Sequence, residues 1–211
     1  MPLDEGFEIK RLAKPDQLRR NDRYADRKPL EVGIVRKQQP KTVRVTSYTF
    51  VSPEPGTPAA DGVPIRAITT KPETQNDPVA TLFDGKLAEG YGPVFANGTM
   101  GGAYKVDLGK AIEVAEVKTW SFNQNKNRGT QRFVLFGSNA AQDPGWDTSK
   151  YTPIIEVDTT VTPVDKFLGT RVRAADEQSV GTYRWLMWVV DPVTEKGENA
   201  AFQEFQIKVK P

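Results

Sequence analysis

The chain has 211 residues and contains no histidine and no cysteine. Those two absences exclude a Ser-His-Asp triad, a Cys-His dyad, a histidine-ligated metal, a thiolate-bound zinc or iron–sulfur site, and any disulfide. The chemistry left is paired carboxylates, lysine, Ser-Lys, or Asp and Glu oxygens around a hard cation. The lack of cysteine does not fix a compartment, because an exported protein with a large enough core does without disulfides. No apolar run approaches the roughly 18 residues of a membrane-spanning helix, so no membrane span is expected. The amino-terminal stretch MPLDEGFEIKRLAK has no apolar leader-like run, so the chain is either cytoplasmic or has lost a leader. No internal repeat is visible.

The net charge is only +2, too small to suggest nucleic acid as a partner. Its distribution is uneven. Residues 1–44 carry 12 Lys+Arg against 7 Asp+Glu, and only Phe7 and Tyr24 of the 20 aromatic residues. The first 41 residues therefore read as a basic, core-poor arm. A short helix can start near Pro15-Asp16 and run to about Ala25, with too few apolar positions to bury much.

Residues 42–51, TVRVTSYTFV, alternate and are rich in β-branched and aromatic side chains, which predicts a strand. Six prolines fall within residues 52–78 and predict a long loop, with no central strand or helix. Short strands are expected at 104–108, from Ile112 through a bulge to Phe122, at 132–136, around Ile154–Val157, at 182–190 and at 205–209. Gly109 is expected to turn the chain between the first two of these. Trp185 and Trp188 fall on opposite faces of one strand, both as core, and Trp146 is expected to plug the core or rim. Seven or eight strands with Gly, Asn and Pro turns predict an all-β antiparallel sandwich over residues 42–211.

Several segments then resemble one family in their order. TLFDGK (81–86) precedes an aromatic loop to Phe95, followed by AYKVDLGKAIEVAEVKTW (103–120), RFVLFGSN (132–139), TYRWLMWVV (182–190) and AAFQEFQIKV (200–209). Together they resemble the discoidin, or coagulation-factor type C, domain, one of the galactose-binding-like jelly rolls that include many carbohydrate-binding modules. The resemblance implies a jelly-roll sandwich carrying the arm as an extension. It also implies a structural calcium ion held by Asp84 of the Asp-Gly turn, Glu204 of the last strand and nearby backbone carbonyls. Lys86 stands where the family often has an acidic or amide residue.

Jelly rolls of this type bind ligands through loops at one end. The loop 121–131 holds Asn123, Asn125 and Arg128, and the family often uses an Arg and an Asn there on sugar hydroxyls. Tyr91 and Asn97 lie in the glycine-rich loop 89–102, where an aromatic face can stack on a sugar. Asn97 and Ala96 stand where the family often has a ligand-binding histidine. Glu198 and Asn199 precede the closing strand. The expected function is a non-catalytic binding module for glycan or another extracellular surface ligand, in a secreted, periplasmic or cell-surface protein whose signal peptide has been removed. A structural subunit of a surface layer, filament or multiprotein assembly, with residues 1–41 binding a protein partner or a second copy, is the alternative. An enzyme would need a carboxylate pair such as Glu195 and Glu198, and no spacing singles one out.

Overall fold

The structure is a computed structural model, described for residues 46–51, 67–71, 74–123, 128–159, 166–174 and 178–210. The expected arm at 1–41, and the partner binding expected of it, lie outside the described residues. Among them are ten strands: β1 (Thr46–Val51), β2 (Ala67–Lys71), β3 (Thr74–Asn76), β4 (Pro93–Phe95), β5 (Gly102–Phe122), β6 (Arg132–Ser138), β7 (Thr152–Asp158), β8 (Phe167–Ala174), β9 (Gly181–Val190) and β10 (Phe202–Val209). All pairings are antiparallel. The architecture is the expected antiparallel β sandwich of jelly-roll type.

The 21-residue strand β5 organises it. Its first half, Gly102–Asp107, pairs with β2 and β9, which continues to β6 and β7. Its second half pairs with β10 and β8, which continues to β1, and residues 112–114 pair again with β9. Gly109 corrects the sequence reading. It lies at φ 79° and its N–H donates to Asp107 Oδ1 at 2.7 Å, but the chain does not reverse there: residues on both sides of it pair with β9, and Gly109 sits in the irregularity between Asp107 and Ile112. A left-handed glycine serves a bulge as well as a hairpin, and only the partners of the two halves distinguish them. The bulge expected beyond Ile112 is present: Val114 pairs with Val209 and Glu116 with Lys208, which leaves Ala115 extra.

Two further corrections concern strands. The stretch 52–78 is not all loop, because β2 and β3 lie in it. Proline is compatible with both: Pro64 and Pro72 fall outside β2, which is an edge strand that needs ladder hydrogen bonds on one side only. The strand β8 was not foreseen. Its inward row is Leu168, Thr170, Val172 and Ala174, all buried, and Gly169, Arg171 and Arg173 between them obscure the alternation.

The core between the layers holds Tyr104, Val106, Leu108, Leu135, Leu186, Trp188, Phe202, Phe205 and Ile207. Trp188 stacks on Phe205 with ring centroids 4.5 Å apart. Burying each such aromatic contributes about 1.5–3 kcal/mol. Trp185 lies, as expected, on the other face of β9, in a smaller cluster with Met187 and Tyr151. The loop between β6 and β7 covers that cluster. Trp146 of this loop sits 4.2 Å from Lys105 Nζ, and the lysine also pairs with Asp143. A lysine that is 3% exposed is thus matched with an anion and an aromatic face. The same logic holds at Asp107, which is paired in bidentate fashion with Arg184 at 2.9 Å through both Nε and Nη2.

Candidate functional site

Three loops meet at one end of the sandwich: residues 89–101, the segment around Arg128, and 191–201. The first is anchored at both ends of β4. Phe95 is core and stacks on Tyr104 with centroids 4.8 Å apart, and the Tyr104 hydroxyl donates to the Pro93 carbonyl at 2.6 Å. Gly92 lies at φ 60°, and a Cβ there would be 2.4 Å from the Phe202 carbonyl oxygen. This close approach of the backbone to β10 sets the position of Tyr91 beside it.

Asn199 stitches the loops together. It is fully buried, and its Nδ2 donates to the carbonyls of Thr99 and Gly197 at 3.1 Å and of Ala96 at 3.4 Å. The Gly98 N–H reaches the Gly197 carbonyl at 3.2 Å. Arg128 lies against this frame. Its Nη1 donates to the Asn199 carbonyl at 3.0 Å, its Nη2 to Asn97 Oδ1 at 2.5 Å, and its guanidinium carbon is 5.7 Å from the centre of the Tyr91 ring. The base of the Arg128 loop is fixed by Gln131, also fully buried. Its Nε2 donates to the carbonyls of Thr119 and Leu168, and its Oε1 accepts from the Thr170 hydroxyl. A satisfied buried network of this kind holds a loop in one arrangement.

The result is an open cleft of about 350 Å³ lined by Asn76, Tyr91, Val94, Phe95, Ala96, Asn97 and Arg128. Of the residues expected to bind ligand, Tyr91, Asn97 and Arg128 come together here. The others do not. Asn199 braces the loops from beneath, with no exposure to a ligand. Asn123 does not line the cleft, and its Oδ1 accepts from the Gly129 N–H at 3.2 Å. Glu198 is half-buried, donates its backbone N–H to the Thr194 hydroxyl and does not line the cleft either. Asn125 lies outside the described residues. Arg128 is also not the exposed loop residue that a polar Asn- and Gly-rich turn suggests. It is 6% exposed, because two neutral oxygens of other loops draw it inward.

Asn76 was not foreseen. It ends β3 at φ 64°, the one non-glycine residue at positive φ among those described. Asparagine tolerates that region better than most residues, so the Asn-Asp-Pro sequence carried the signal of a turn presenting a side chain.

Beside this cleft is a smaller one of about 170 Å³, lined in part by Asp77, Thr81, Asp84, Lys86 and Gln203. Of the two residues expected to hold calcium, Asp84 lines this cleft and Glu204 does not, although the two carboxylates are close enough to interact. The Glu204 carboxylate is 3% exposed, and its Oε2 accepts from the Gly85 N–H at 3.1 Å. Its Oε1 is buried with no hydrogen-bond partner. Burial pushes the Glu204 carboxyl up to about 9, and the nearby Asp84 carboxylate adds to this. A buried, orphaned carboxylate oxygen beside an Asp-Gly turn fits a hard, oxygen-seeking cation. Lys86 is exposed. No group of three or more acidic residues gathers among the described residues, so backbone carbonyls would have to complete the shell.

A scan against protein-family models finds no match, and a search of curated proteins finds none. Solved structures of similar architecture include three sugar-binding modules. One is the family 32 carbohydrate-binding module of NanJ from C. perfringens, solved with galactose. It is 12% identical, the match covers 67% of this chain and 91% of that one, and the TM-score is 0.46. Another is the family 32 module of AlyQ with 4,5-unsaturated mannuronic acid, at 20% identity, 68% and 95% coverage, and TM-score 0.46. The third is chitosan-binding module 1 of a chitosanase/glucanase from Paenibacillus sp., at 16% identity, 67% and 92% coverage, and TM-score 0.47. Likenesses at this level carry no argument about the ligand of this chain, which rests on its own residues.

Proposed function

We propose that this chain is a non-catalytic carbohydrate-binding module whose ligand occupies the cleft between Tyr91, Asn97 and Arg128. The observation that carries this reading is the convergence of one aromatic face, an exposed amide and a guanidinium in one open cleft on a braced frame. Each group suits one part of a sugar. The ring of Tyr91 can cover the apolar C–H face of a pyranose. The Asn97 Nδ2 and the remaining guanidinium N–H groups can donate to hydroxyl oxygens, and the exposed Asn76 amide adds a donor and an acceptor across the cleft. The frame is built before ligand arrives, so little ordering entropy is lost on binding. A site of this size fits a single-site affinity of about millimolar to micromolar, or −4 to −8 kcal/mol. Nothing in this arrangement breaks a bond.

We further propose that Glu204 and Asp84 hold calcium with backbone carbonyls of the Asp-Gly turn. Bound there, the ion would neutralise the buried carboxylate and rigidify the turn.

A glycan-array screen of the purified chain, repeated with Tyr91→Ala, tests the sugar reading. The parent is expected to give a reproducible hit. Tyr91→Ala is expected to weaken it about ten- to a hundredfold through lost apolar contact, with an unchanged melting curve. A blank array, or an undiminished hit with the variant, would remove the cleft from consideration.

A further inference from the structure

We infer that the ligand of this cleft is an acidic sugar, one whose carboxylate or sulfate group pairs with Arg128. The inference rests on the sugar-binding reading of the same cleft and adds the chemical class of its ligand.

The warrant is an unmatched charge. Four Asp, Glu, Lys or Arg side chains are buried among the described residues: Lys105, Asp107, Arg128 and Glu204. Lys105 is paired with Asp143, and Asp107 with Arg184. Glu204 faces the proposed cation position. Among the described residues Arg128 has no carboxylate partner. Its hydrogen-bond acceptors are a backbone carbonyl and an amide oxygen, both neutral, and its third neighbour is an aromatic ring.

A guanidinium stays charged at every pH a protein meets, so burial cannot be relieved by losing a proton. Buried charge is retained when an opposite charge meets it, and this chain follows that rule at its other buried cation. Among the described residues no acidic one lines the cleft. Glu198, next to Asn199 in the chain, is not part of its wall. A guanidinium also has five N–H donors. The two known bonds leave three, and the Nε donor is buried without a partner. An anion entering the cleft meets a cation with spare donors already fixed in direction. A neutral hydroxyl would use one donor and leave the charge unmatched.

The test measures binding of the full chain to four polymers by calorimetry: a polyuronate, its carboxyl-reduced neutral counterpart, a sulfated galactan, and its desulfated counterpart. Arg128→Gln and Arg128→Lys are measured alongside, each checked for a cooperative melt. At least one acidic polymer is expected to bind tenfold or more tightly than its neutral counterpart, and which one does so tells carboxylate from sulfate. Arg128→Gln is expected to abolish the preference, and Arg128→Lys to keep part of it. Equal or better binding of the neutral polymers would overturn the acidic class while leaving sugar binding intact. An acidic preference that survives Arg128→Gln would also overturn it, assigning the effect to other basic residues of the chain. If Arg128→Gln does not fold, a reduced preference in Arg128→Lys decides the question in favour and an unchanged preference decides against. Silence of all four polymers overturns this inference alone if the glycan array gives neutral hits, and the sugar reading with it if the array is blank.

Discussion

Adding calcium to metal-free protein is expected to raise its melting temperature by about 5–10 °C at a concentration near a hundred times the dissociation constant. Ligand at that excess contributes about 2.7 kcal/mol, and each kcal/mol shifts a domain of this size by about 2–4 °C. The rise is expected to depend on pH in a direction that Glu204 dictates. Its carboxyl is raised from 4.5 to about 9 in the folded, metal-free state. The unfolded chain releases that proton near the ordinary value. Metal-free stability from this group is therefore greatest below about pH 4.5 and declines as the pH climbs toward 9. A bound cation takes the carboxylate form and displaces the proton, so the gain from calcium should grow between pH 6 and pH 9. Glu204→Gln should show no calcium response, and at pH 8 in chelator it should melt higher than the parent. A parent protein indifferent to millimolar calcium across that range would refute the cation site.

Gly92→Ala is expected to lower the stability by about 2–5 kcal/mol. Left-handed backbone at alanine costs about 1–2 kcal/mol, and overpacking against a fixed neighbour adds about 1–3 kcal/mol. Here the neighbours are the Phe202 carbonyl oxygen at 2.4 Å and Gln203 Nε2 at 2.9 Å, and the first is backbone of the buried strand β10 and cannot swing aside. Gln203 also holds the loop, donating to the Gly90 carbonyl at 2.8 Å. The loop carrying Tyr91 would have to lift, so sugar affinity should fall together with the melting temperature, whereas Tyr91→Ala lowers affinity alone. A melting curve for Gly92→Ala that matches the parent would show that the loop does not approach β10 this closely.

Which features the sequence made legible follows from their range. Strands such as β9 and β10 announce themselves because alternation and apolar content are local properties of the chain. The strand β8 did not, because its inward positions include a threonine and an alanine and its outward ones two arginines. Gly109 could be read as a special backbone position, but whether it reverses the chain or bends it depends on which strands pair with each half. The site shows the same division. Tyr91, Asn97 and Arg128 stood out by residue type in polar loops. Their meeting, and the burial of Arg128 and Asn199, come from contacts across 31 to 103 positions of sequence. Asn199 was expected to touch ligand and is instead a brace, which no local pattern distinguishes.

A crystal structure of the chain soaked with the best hit of the glycan screen shows directly where the sugar sits. A sugar ring is expected over the face of Tyr91, hydrogen-bonded to Asn97 and with a polar group against Arg128. A sugar bound at the opposite end of the sandwich, or on the outer face near Trp146, with the Tyr91 cleft holding only solvent, would contradict the proposed site.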